Sequence, residues 1–249
     1  MSDQRIKLEI CAASPEDCAV AEQGGADRVE LTCALMLGGL TPSLGALRES
    51  RAAVRIPIIA MIRPRAGGFC YSASEFKVML RDAEAALTEA VDGIAIGILT
   101  ANGEIDLPRC QEVVKLAAGR QLVFHRAFDV VPEPLTALDR LIDLGITRVL
   151  TSGQEASAYN GAANIAKYLR HAAGHIEVLP AGGINRFTLA DVVQRTGCDQ
   201  VHASLSAGIK DHSVAARPQV SFGGTLKPPE HEFTATDRAA VVAMRQALG

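Results

Sequence analysis

Eight times along this chain a short run of apolar, often β-branched residues gives way to a helical pattern and then to another such run. That alternation restricts the fold more than any other property of the sequence. Strands separated by helices run parallel, and each crossover helix must cover the sheet it returns to. The runs are KLEIC (7–11), RVELT (28–32), PIIAMIR (57–63), GIAIGIL (93–99), QLVFHR (121–126), RVLTS (148–152), IEVLPAG (176–182) and QVHAS (200–204). Between them, Ser14-Pro15 and Thr41-Pro42 each place an N-cap residue before a proline at the first helical position. Ser72 and Glu75 have the spacing of a capping box. Glycines in EQGGAD, LAAGRQ, DLGITR and RTGCDQ mark helix ends. The expected fold class is α/β, a single-domain (β/α)8 barrel of the TIM type over residues 1–249, a length that suits one such barrel. An open doubly wound sheet has the same alternation, but no GxGxxG follows the first run. Residues 205–233, between the eighth strand and the last helix, show no period and are expected to form a long irregular loop, a lid or an interface arm.

Composition narrows the partners. A net charge of -3 gives no electrostatic case for nucleic acid. No apolar run approaches ~18 residues, so no membrane partner is expected. MSDQRIKLEI lacks the basic-then-apolar order of a secretory signal, and the six cysteines have no short paired spacing. A cytoplasmic location with reduced thiols is the expectation.

In such barrels the site lies where the strands end. Those ends offer Glu9 and Cys11, then Glu30, Thr32 and Cys33, then Arg63, then His125, Arg126 and Asp129, and lastly His202 and Ser204. Glu9, Glu30, Arg63, His125, Arg126, Asp129 and His202 are the candidate catalytic residues. Charged layers inside a barrel can also satisfy one another, and Glu9, Glu30 and Arg63 are open to that structural reading. Alternation along the fifth strand turns His125 inward with Val123 and leaves Arg126 at the rim or on a helix. Ser152, Gly153, Gly182, Gly183 and Ser204 are candidate anion-binding residues, since amides exposed at glycine turns cradle oxyanions. Asn185 is the expected cap of the helix that follows them. No lysine ends a strand, which marks down a Schiff-base aldolase. The absence of HExxH and GxSxG marks down the commoner zinc and serine hydrolases.

LEICA, GGADRVEL, GGLTPS, MIRPR, GGFCYS, FHRAFD and RVLTSGQ resemble the CutC family, long described as copper homeostasis proteins. The resemblance runs from about Leu8 through Ser204 and implies a cytosolic, homo-oligomeric barrel that meets Cu(I), with no organic cofactor. It also implies copper cysteines at the ends of the first two strands. Here Cys11 matches the first position, while Thr32 stands at the second with Cys33 one residue on. A shift of one residue reverses the face of a regular strand, and Cys70 in GGFCYS is the other candidate ligand. Two readings of function follow. One is copper homeostasis through thiolates at Cys11, Cys33 and Cys70, which suit soft Cu(I). The other is acid–base chemistry on a small phosphorylated or carboxylated metabolite, with Glu9, Glu30 and His125 moving protons and Arg63 with the sixth to eighth strand ends holding the anion. A barrel that binds such a metabolite without turnover is a third.

Overall fold

The computed structural model describes residues 5–223 and 230–249. Eight strands alternate with eight helices. They are β1 (Lys7–Ala12), β2 (Arg28–Leu31), β3 (Ile58–Met61), β4 (Gly93–Ile96), β5 (Gln121–Phe124), β6 (Arg148–Thr151), β7 (Glu177–Pro180) and β8 (Gln200–Ala203). The helices are α1 (Pro15–Gln23), α2 (Leu44–Ala53), α3 (Ala73–Thr88), α4 (Leu107–Ala117), α5 (Pro134–Asp143), α6 (Ala162–Ala172), α7 (Leu189–Thr196) and α8 (Arg238–Leu248). All ladders among these eight strands are parallel, in the order β7-β6-β5-β4-β3-β2-β1-β8. β8 is bonded to β1, whereas β7 and β8 lie side by side without a ladder. The barrel is therefore nearly closed, with a seam between its last two strands. No helix among the described residues is long and apolar enough to cross a membrane.

The helix starts follow side-chain chemistry. Ser14 accepts the Asp17 amide ahead of Pro15, and Ser72 and Glu75 form both halves of the capping box. Two expected caps are displaced. Ser43, not Thr41, caps α2, because the Thr41 hydroxyl accepts the amide of Arg63 (2.9 Å) at the end of β3. Asn185 accepts the Phe187 amide in a turn of its own, and α7 begins four residues later, where Leu189 and Val192 can face the core. The expectation of an irregular 205–233 segment also needs correction. Ser206–Lys210 forms β9 and Glu232–Thr236 forms β10, an antiparallel ribbon. Residues 224–229 of that segment lie outside the described residues. The ribbon escaped the pattern because β9 is exposed on both faces, so no alternation marks it. It is tied down where Asp17, at the start of α1, accepts the Thr236 amide (2.5 Å).

Two cores result. Leu8, Ile10, Val29, Leu31, Ile94 and Phe124 belong to the larger one, between barrel and helices. Inside the barrel Ile59, Met61, Ala95, Val123, Leu150, Leu179 and Ala181 form a second. These inner apolar residues come only from β3 to β7 and the residue after β7. The inward positions of β8, β1 and β2 instead carry His202, Glu9, Cys11, Arg28 and Glu30, so the upper interior is apolar on one side and ionic on the other, while Arg148 of β6 and Glu177 of β7 carry charge into the floor.

β4 passes β5 so closely that a Cβ on Gly93 would meet the Gln121 carbonyl oxygen at 2.3 Å, while one on Gly68 would meet nothing within 4 Å. Gly93→Ala is expected to destabilise the protein by about 2 kcal/mol through a forced backbone shift. Gly68→Ala should stay within about 0.5 kcal/mol of the wild type. Urea melts of the two variants check both; equal effects would contradict the packing described.

Candidate functional site

A cavity of about 420 Å³ opens at the carboxyl end of the barrel. One wall is the ionic side of the interior. Arg28 pairs with Glu9 inside the barrel, and the other oxygen of Glu9 accepts His202 Nδ1–H at 2.7 Å. His202 Nε2 then stands 3.9 Å from Glu30, whose same oxygen accepts the Cys11 thiol at 3.9 Å. Below, Arg28 reaches Gln200 (3.1 Å), Gln200 reaches Glu177 (3.3 Å), and Glu177 accepts Arg148 (2.6 Å). A continuous polar string therefore rises from the floor to the mouth.

Environment sets different protonation states along it. Burial pushes Glu9 up, but Arg28 and His202 outweigh it and hold its carboxyl well below the usual carboxylate range. Burial alone would neutralise His202, yet Cys11, Glu9 and Glu30 together keep the imidazole protonated. Glu30 is pushed up to about 7, chiefly by burial and also by the charge of Glu9, against the pull of His202. Burial raises the Cys11 thiol as well. Like charges in a shared dry site cannot all ionise, and Glu30 is the group left near neutrality.

The wall at the ends of β3 and β5 holds Arg63 and His125. Arg63, 7% exposed, donates to the main-chain carbonyls of Leu37, Gly39 and Gly67. His125, 4% exposed, caps a 3-10 turn at Arg126–Val130 by accepting the Ala127 amide on Nδ1 (3.1 Å). Burial, with the charge of Arg63, pulls its pKa down to about 3. The ring faces the cavity, as its parity with Val123 implies. Arg126, in the 3-10 turn, also lines the cavity and lies at the rim.

Other expected site residues divide. Gly182, Gly183 and Ser204 line the cavity. Both glycines are in the left-handed region (φ 96° and 72°), and their amides are unpaired among the described residues. Ser152 and Gly153 are already engaged: the Ser152 amide and hydroxyl donate to Asp129, and the Gly153 amide donates to Thr151 Oγ1. Asp129 borders the cavity but is occupied as a loop clamp, accepting Arg126, Thr151 and the Gln154 amide too. Glu9 does not line the cavity.

Of the three cysteines, only Cys11 reaches this site. Cys33 follows β2 in an isolated bridge with Leu40 and donates its thiol to the Thr41 carbonyl (3.1 Å). Cys70 is exposed in the loop after β3 and does not line the cavity. Instead Cys11, Glu30 and His202 offer ligand atoms within 4.8 Å of one another. Sequence reasoning missed Met61 and Phe69, which line the cavity, and the floor residues Arg28, Arg148 and Glu177. A charge at the first position of a barrel strand was the available signal for the floor.

An acid whose folded pKa lies above its unfolded value contributes stability below the unfolded value and loses it as pH rises through the folded one. For Glu30 that window runs from about 4.5 to about 7. Glu30→Gln should therefore gain on the wild type by on the order of 2 kcal/mol between about pH 5 and pH 8, in urea melts at both. A difference that does not vary with pH would mean that Glu30 is ionised throughout.

The model of the CutC family matches residues 6–207. A family protein CutC from Treponema denticola is 49% identical over 227 residues, covering 91% of this chain and 92% of its own. The human copper homeostasis protein cutC homolog is 39% identical over 230 residues, 92% of this chain and 84% of its own. The solved CutC protein of Streptococcus agalactiae superposes with a TM-score of 0.76 at 33% identity, covering 79% of this chain and 97% of that one. A thiamine phosphate pyrophosphorylase from Pyrococcus furiosus, at 14% identity and a TM-score of 0.59 over 98% of this chain and 95% of its own, shares the fold alone. Sequence, family model and solved relative agree: this chain belongs to the CutC family.

Proposed function

We propose that the barrel binds a small anionic metabolite, phosphorylated or carboxylated, in the mouth cavity and moves a proton on it. The observation that carries this reading is Glu30, a buried carboxyl poised near neutral pH on a cavity that Arg63 and Arg126 also line. A general base works best with a pKa close to the working pH, and such groups contribute ~10²–10⁴ in rate. Glu30 takes the proton and returns it. Glu9, held by Arg28, orients His202, whose positive charge favours the ionised form of Glu30. The unpaired amides of Gly182 and Gly183, with Arg126 beside them, hold the anion.

A second reading has one specific support. Cys11, Glu30 and His202 converge with the spacing of a ligand set, and the name of the human relative speaks of copper homeostasis. Copper as cargo would be held by Cys11 Sγ, His202 Nε2 and a Glu30 oxygen. Glu9 on Nδ1 would orient the imidazole as carboxylates do around metal-bound histidines. The donor set fits a mixed site with one thiol, not the thiolate site that Cys33 and Cys70 would have built. We also read the protein as cytoplasmic, on its six free cysteines. The homo-oligomer reading rests on the family resemblance and on Ile209 and Phe233, exposed on the ribbon.

A panel of small phosphorylated and carboxylated acids, screened by thermal melting, tests the first reading. A true ligand at ~100 times its Kd adds about 2.7 kcal/mol, or ~5–10 °C in Tm for a chain of this size. In Glu30→Gln, binding should persist while solvent-deuterium exchange into the ligand is lost. A panel without any shift, or exchange that survives the substitution, would sink the reading. Anaerobic Cu(I) titration against a competing chelator tests the second. One tight equivalent, lost in Cys11→Ser, would support it, and affinity no greater than that of scattered thiols would end it.

A further inference from the structure

Two buried donors, on residues that line the cavity, have no hydrogen-bond partner among the described residues, and the polar neighbour of Arg63 is the Tyr71 hydroxyl, itself buried and unpartnered. Arg63 uses Nη1 and Nη2 on three main-chain carbonyls, and among the described residues its positive charge meets no carboxylate and its buried Nε no hydrogen-bond acceptor. His125 accepts the Ala127 amide on Nδ1. A ring nitrogen that accepts an N–H carries no proton, so the neutral imidazole holds its proton on Nε2. That Nε2 is buried and unpartnered too. A buried donor left unsatisfied is costly, and two in one wall ask for an acceptor.

Turning the ring over would set Cδ2–H in place of Nδ1 and forfeit the Ala127 hydrogen bond. A Cβ on Gly97 would stand 2.1 Å from Cε1 and 2.4 Å from Nδ1, so the imidazole fills the space that this glycine leaves. Phe69 lies against the same ring, with centroids 5.1 Å apart, and the Arg63 guanidinium carbon lies 5.3 Å from the Phe69 centroid. One aromatic ring thus braces both donors.

We infer that Arg63 Nε–H and His125 Nε2–H together form a carboxylate subsite, one donor to each oxygen of a carboxylate on the ligand. The inference rests on the anionic-metabolite reading above and narrows it. One guanidinium charge and one neutral N–H match a monoanion. A phosphate dianion would bring surplus negative charge into a buried wall. The assignment also changes the role of His125. Its lone pair is committed to Ala127, so it serves as a hydrogen-bond donor and not as a base, in agreement with burial and Arg63 holding the ring neutral.

The test is a set of ring-¹⁵N NMR spectra of the full chain at neutral pH, titrated separately with glycolate and with inorganic phosphate. The expected result is a His125 ring protonated on Nε2 alone, whose Nε2 signal moves saturably with glycolate and not with phosphate. His125→Phe, which keeps an aromatic ring, and Arg63→Lys, which keeps the charge, should each weaken glycolate by about tenfold. If neither variant folds, the wild-type titration decides alone. A His125 proton on Nδ1, a doubly protonated ring, or a response to phosphate but not glycolate would overturn the subsite. So would glycolate that moves the His202 ring and leaves His125 still, an outcome under which the broader anionic-metabolite reading stands. No saturable shift at any histidine with either probe would overturn both.

Discussion

The ion pair between Arg28 and Glu9, closed off inside the barrel, is the contact on which the rest of the site depends. Glu9 has two oxygens and two cationic partners: one takes the guanidinium from the floor and the other takes His202 below the mouth. Buried charges are tolerated only when paired and hydrogen-bonded on every side. Arg28 is tied through Gln200 to Glu177 and Arg148, so the pair is one link in a network that spans the barrel. Removing either member would strand the other in a dry interior, and His202 would lose the group that fixes its ring. The protonation of Glu30 follows from this arrangement, because the fixed charges of Glu9 and His202 surround it.

The division of the interior gives the cavity two unlike walls. On β8, β1 and β2 the groups can exchange protons or hold an ion. On the side of β3 and β5 the groups left without partners, Arg63 Nε and His125 Nε2, are hydrogen-bond donors. Between them Met61, Leu150 and Ala181 keep the cavity apolar where it faces neither. Few polar groups set in an apolar surround is the usual make-up of a small-molecule site. A single thiol at its edge is a poor match to soft Cu(I), which favours sulfur donors in number.

Much of this was legible in the sequence because strand parity and the strand-end rule are strong constraints. They placed Glu30, Arg63, His125 and His202 at one mouth, and the capping chemistry of Ser14 and Ser72 marked where helices begin. What stayed hidden depended on facts that spacing does not encode. Cys33 looked like a displaced ligand, but β2 ends at Leu31, and past a strand end parity no longer says where a side chain goes. Asp129 and Ser152 looked like site residues, and only the coordinates reveal that they bond to each other. The tautomer of His125 depends on one amide, two residues on. The exposed ribbon carried no period, and the ionic floor was masked because Arg28 and Arg148 begin strands that otherwise read as apolar.

The seam between β7 and β8 gives the cavity a mechanical property. Ladder hydrogen bonds fix the spacing of every other neighbouring pair, but across this one no ladder forms and the Gln200–Glu177 side-chain bond bridges the gap. Gly182 and Gly183 follow β7, and His202 and Ser204 belong to β8 and its end, so the two glycine turns with unpaired amides and the protonated imidazole stand on opposite lips of the seam. A molecule that touched both would act as a rivet. It would stiffen the one joint of the barrel that the backbone leaves free, and occupancy of the mouth would be felt as rigidity at the floor.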